Sequence, residues 1–104
     1  MTTATVRVFT HLAASSGQEA ELRQHLLQVA EQRCQLSGCN SCDLLQHNVY
    51  PEKFILVEDW EIEARLTSDF TPESAENAYR NVEDLLATLP IIEWYEVIAT
   101  NQNS

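Results

Sequence analysis

A chain of 104 residues is the size of one domain and can bury a core without a disulfide or a structural metal. Sixteen acidic residues against six basic ones give a formal net charge of -10, a surface that repels phosphate backbones and anionic headgroups, so neither nucleic acid nor membrane is an expected partner. No basic-then-apolar leader opens the chain, no apolar run approaches the roughly 20 residues of a membrane span, and three cysteines are an odd number for a stapled domain; a cytoplasmic location is expected.

A single domain is expected over residues 1–104, with an ordered core from about residue 5 to residue 98 and a polar tail over 99–104. Thr5 to Leu12 is β-branched and aromatic, and reads as a strand. Ser16 and Glu19 have the spacing of a capping box, in which the Ser16 hydroxyl accepts from the Glu19 amide. Behind them Leu22, Leu26, Val29, Ala30 and Arg33 share one face of a first helix, and Gly38 is its natural stop.

Cys42 to Val49 and Phe54 to Trp60 read as two strands around a connection containing Pro51, where a strand cannot continue. Residues 61–69 predict a short helical turn. Thr71-Pro72-Glu73 has the cap, first-turn proline and acid that open a second helix. Its apolar stripe runs through Ala75, Ala78, Tyr79, Val82, Leu85, Leu86 and Leu89 to Pro90, and Ile91 to Ile98 is a last strand.

The order predicts an α+β, ferredoxin-like βαββαβ fold, with a four-stranded antiparallel sheet and two helices on one face. The strands do not alternate apolar and polar residues: Phe9 opposes Val8, and Ile55 and Val57 oppose Leu56. Both faces carry large apolar groups while the helices cover one, so a homodimer through the open sheet face is expected.

Thr10 and Trp60 fall on the helix-facing side of neighbouring strands, Glu58 shares the parity of Trp60, and Tyr79 lies on the inward stripe of the second helix. These four could line one pocket, with Glu58 as a base and Trp60 as an aromatic wall; core packing of Trp60 and Tyr79 and a solvated or ion-paired Glu58 are the competing readings. His11 falls with Phe9 on the open face, His25 toward the polar side of the first helix, and His47 at the end of the second strand. Cys39 and Cys42 are spaced like a redox pair. In an extended strand, however, they would lie about 10 Å apart on opposite faces, beyond the roughly 7 Å reach of a disulfide. With Cys34 they make three sulfurs, one short of a closed zinc site.

The segments Gly17-Gln18-Glu19-Ala20-Glu21-Leu22, Gly38-Cys39 and Ile55-Leu56-Val57-Glu58-Asp59-Trp60-Glu61, in this order, resemble the antibiotic biosynthesis monooxygenase family from about Val6 to Val97. The resemblance implies a dimeric α+β barrel with a pocket in each subunit between sheet and helices. It further implies oxidation of small quinol-like or polycyclic aromatics with no metal or flavin cofactor, or else a dimeric domain that binds such a molecule without turning it over. Asp69 and Ser74 stand where the family often has histidines. A haem-degrading branch of the family uses an Asn, a Trp and a His; Thr10 stands at the first position, Trp60 at the second, and no histidine follows His47, so haem degradation is not expected.

Overall fold

The computed structural model describes residues 5–61 and 77–101 of the chain. Four strands, β1 (Thr5–Ala13), β2 (Cys39–Gln46), β3 (Lys53–Glu61) and β4 (Ile91–Glu96), form one antiparallel sheet in the order β2-β3-β1-β4. Helix α1 (Glu19–Cys34) and a 3₁₀ helix (Arg80–Leu85) pack on one of its faces. This is the α+β, ferredoxin-like architecture with both helices on the same side. Of the turn expected over 61–69, Glu61 is the last residue of β3 and the rest lies outside the described residues, as do the helix opening at Thr71, Asp69 and Ser74.

Strand parity decides which side chains meet the helices. Along β1, Val6, Val8, Thr10 and Leu12 are buried, while the residues between them are half-buried on the open face. Along β3, Phe54, Leu56, Glu58 and Trp60 repeat the pattern. Register aligns the two rows, with Val6 opposite Trp60, Val8 opposite Glu58 and Thr10 opposite Leu56. Leu22, Leu26 and Val29 of α1 and Tyr79 and Val82 beside the sheet close the main core over Leu12, Phe54 and Leu56. Each such aliphatic residue contributes about 1.5–3 kcal/mol by leaving water.

Three local expectations are corrected. The capping box does not form: Gln18 is the N-cap and makes no side-chain cap hydrogen bond. Gly17 instead has φ +81°, and the Gln18 amide donates to the Ser15 carbonyl at 2.9 Å. That is a tight turn needing a left-handed residue at its third position, and it carries Ser16 away from the helix end. The second helix does not run to Leu89. After Leu85 the chain is extended, because Leu86 bridges Ala14, with the Ser15 amide on the Leu85 carbonyl and the Ala87 amide on the Ala13 carbonyl, both at 2.8 Å. Leu89, left outside the stripe, is 78% exposed.

The third correction concerns β2, which starts three residues earlier than expected and carries a bulge between Cys39 and Ser41. The extra residue resets the alternation. Cys39 pairs with Trp60 and Cys42 with Glu58, so both cysteines lie on the helix-facing side rather than on opposite faces.

Candidate functional site

Three of the four residues singled out from the sequence stand on two adjacent central strands: Thr10 on β1, Glu58 and Trp60 on β3. The fourth, Tyr79, is the residue before the 3₁₀ helix. Thr10, Glu58 and Trp60 are 0% exposed and Tyr79 is 1% exposed, so of the two competing readings of Glu58 the solvated one falls and the ion-paired one holds.

A charged group so deep needs a partner. Arg33, at 5% exposure in the last turn of α1, supplies it. Its Nε donates to Glu58 Oε2 at 3.0 Å and its Nη2 lies 2.9 Å from the same oxygen. The Trp60 indole N–H donates to that oxygen as well, at 2.9 Å, and the guanidinium carbon stands 5.3 Å from the centre of the Trp60 ring. Arg33 follows Leu22, Leu26 and Val29 on the inward face of α1, and its position at the C-terminal end places a cation where the helix dipole favours one. The sequence reading placed it on the apolar face without assigning it to the site. A lone arginine on an otherwise apolar helical face is the signal that could have found it.

All three donors converge on Oε2. The second carboxylate oxygen, Oε1, is buried and accepts no hydrogen bond, and the buried hydroxyls of Thr10 and Tyr79 have no partner either. These two hydroxyls face each other without reaching hydrogen-bond geometry. Burial, and then the Glu58 charge, push the Tyr79 phenol well above its ordinary value of 10.0. Native folds leave few buried polar atoms unpartnered, and here three gather among apolar side chains. Such a cluster offers both an acceptor, at Glu58 Oε1, and two hydroxyl donors.

Cys39 and Cys42 border the cluster. Burial, with the Glu58 charge behind it, raises the Cys39 thiol to about 11 and the Cys42 thiol to about 12. Both are reduced, as is the exposed Cys34. Among the described residues no group of histidine, cysteine, aspartate and glutamate is arranged to hold a metal.

Two cavities lie nearby. One, of about 460 Å³, is walled by Tyr79, Arg80, Glu83, Leu89, Pro90 and Ile92. Tyr79 is thus common to the cluster and to the lining of this cavity, while neither Thr10, Glu58 nor Trp60 is on that lining. The other, of about 590 Å³, takes in His11, Leu45, Ile55 and Ile91 of the open sheet face. His11 is on that face as expected, with Nε2 3.0 Å from Glu93 Oε1. Phe9 packs edge-on against Tyr95 beside it. His25 is half-buried on α1, and His47 follows the end of β2, its Nδ1 accepting from the Val49 and Tyr50 amides.

A family model described as "Antibiotic biosynthesis monooxygenase" matches residues 5–71. Two similar solved structures are each described as a "putative antibiotic biosynthesis monooxygenase". That from Deinococcus radiodurans is 26% identical with a TM-score of 0.76, over 95% of this chain and 98% of its own. That from Nitrosomonas europaea is 15% identical with a TM-score of 0.75, over 94% of each chain. A protein of unknown function from Nitrosomonas europaea is 23% identical with a TM-score of 0.75, over 98% of this chain and 97% of its own. No curated protein sequence matches the chain.

Proposed function

The chain belongs to the antibiotic biosynthesis monooxygenase family, and from that premise we propose that it oxidises a small quinol-like or polycyclic phenol with molecular oxygen, without a cofactor. The observation that carries the reading is the buried cluster in which Glu58 Oε1, the Thr10 hydroxyl and the Tyr79 hydroxyl lack partners while Arg33 and Trp60 hold Glu58 Oε2. In this reading the phenol donates its proton toward Oε1 and the electron-rich phenolate reduces molecular oxygen. One oxygen atom joins a ring carbon to give a quinone while the other leaves as water, and Trp60 and the surrounding apolar groups keep bulk water from the reactive species. Tyr79 belongs both to the cluster and to the lining of the 460 Å³ cavity, and in this reading the ligand approaches from that side.

The protein acts as a homodimer in this proposal. The apolar residues of the open face, among them Phe9, Ile55, Val57, Ile91 and Tyr95, then pack against those of a second copy. A second reading, a domain that binds the phenol without turning it over, is favoured by Asp69 and Ser74 at the two positions where the family resemblance implies histidines. Oxygen uptake with a panel of quinols and hydroxylated polycyclic aromatics separates the two. The enzyme reading expects substrate-dependent uptake that falls in Glu58→Gln and Trp60→Phe. Binding without uptake favours the second.

A further inference from the structure

We propose that Arg33 is a positioning residue: it takes up one oxygen of Glu58, so that the other is the atom offered to a ligand, and the site therefore favours an uncharged hydroxyl donor over a carboxylate of the same shape. The inference rests on the reading of the buried cluster as a phenol site.

The geometry is lopsided in a way that needs an explanation. An arginine facing a carboxylate commonly bonds both oxygens with its fork of donors. Here Nε and Nη2 both address Oε2, and the Trp60 N–H joins them there, while Oε1 stays buried with no donor. Three donors exhaust the lone pairs of Oε2. A ligand can therefore be received only at Oε1, beside the unpartnered hydroxyls of Thr10 and Tyr79. The guanidinium is fixed in turn, stacked 5.3 Å from the centre of the Trp60 ring and anchored at the inward end of α1.

The charge count gives the selectivity. Arg33 and Glu58 compensate each other, so among the described residues this pair carries no net charge with which to attract an anion. A phenol brings a proton to Oε1. A carboxylate brings only acceptors to an oxygen that is itself an acceptor, inside a region of low dielectric where the mismatch is costly. Lysine could supply the charge of Arg33, but not two N–H groups in one plane, nor a flat surface on the indole.

The test is a binding cycle with 1-naphthol and 1-naphthoate as probes at neutral pH, read by isothermal titration calorimetry. The wild-type chain should bind 1-naphthol at least about tenfold more tightly than 1-naphthoate, the value of one charge-assisted hydrogen bond. Arg33→Met should weaken 1-naphthol by about the same factor, and Arg33→Lys by less. In the Glu58→Gln background neither substitution should change binding, because Arg33 acts through Glu58. Arg33→Lys, which retains the charge, and the double variant Arg33→Met/Glu58→Gln, which buries none, keep the cycle readable if Arg33→Met does not fold. An equal loss in both backgrounds shows a structural role only and overturns the proposal, while the phenol site stands. No binding of 1-naphthol by the folded wild-type chain overturns the phenol reading and the proposal together.

Discussion

Arg33 and Glu58, 25 positions apart in the sequence, meet in the core through two contacts on a single carboxylate oxygen, at 3.0 and 2.9 Å. The pair joins the last turn of α1 to the middle of β3. It fixes the helix over the sheet at the point where Trp60 also reaches in.

Removing one member of this pair leaves the other as a buried, uncompensated charge. Arg33→Met is expected to lower stability by about 3–5 kcal/mol. The double variant Arg33→Met/Glu58→Gln removes both charges and should recover a large part of that loss. Urea denaturation followed by far-UV circular dichroism checks both, and equal stability of the single and double variants would show that the pair is not coupled.

Trp60→Phe keeps an aromatic ring but deletes the N–H that donates to Glu58 and part of the packed volume. A loss of about 2–3 kcal/mol is expected, the range for a hydrogen bond to a charged group together with a small cavity. Thermal denaturation measures it; a variant as stable as the wild type would mean that the indole N–H contributes nothing net.

The strand parity that carries Thr10, Glu58 and Trp60 to one side was legible because two-residue alternation is a property of the strand alone. Tyr79 was legible for a similar reason, from the apolar stripe of its segment. Arg33 was placed correctly on the helix but its partner was not, since which buried acid meets a buried base depends on how α1 crosses the sheet. The faces of Cys39 and Cys42 were misread because a bulge inserts one residue and reverses the parity, and no glycine or proline within the pair marks it. The early end of the second helix was equally hidden: a bridge from Leu86 to Ala14, 72 positions away in the chain, overrides the local apolar periodicity.

The thiols give a pH dependence with a definite sign. Cys39 and Cys42 move from 9.0 to about 11 and about 12 in the fold, and Tyr79 moves upward from 10.0. Above pH 9 the unfolded chain loses these protons while the folded chain keeps them, so the unfolded state binds fewer protons and stability falls. The contribution is complete below pH 9 and disappears as the pH passes through the folded values. Urea midpoints should drop steadily above pH 9, and Cys39→Ser/Cys42→Ser should flatten the decline. A wild-type midpoint that stays constant from pH 9 to 11 would contradict this account.

The same shifts order the thiols by reactivity. Cys34 is exposed, whereas Cys39 and Cys42 are partly buried with few thiolates at neutral pH. Iodoacetamide should label Cys34 first and the other two far more slowly, as read by peptide mass spectrometry. Labelling of Cys42 as fast as Cys34 would show that the bulged end of β2 opens readily.

An aspartate on the open face tests the proposed dimer without touching the buried cluster. Val57 is half-buried on that face and lies opposite Phe9 in the register. Val57→Asp should convert the dimer to a monomer in light scattering at micromolar concentration while the fold persists. A wild-type chain that is already monomeric would remove the interface.

The central claim is that the buried Glu58 accepts a proton from a phenol that is then oxidised. Oxygen consumption measures it most directly, with a panel of quinols and hydroxylated polycyclic aromatics added to the metal-stripped wild-type chain and to Glu58→Gln. The account predicts substrate-dependent uptake by the wild type and a loss of about 10²–10⁴-fold in the variant, the range for removal of a general base. Uptake that is undiminished in Glu58→Gln, or no uptake above a boiled control across the panel, would contradict it.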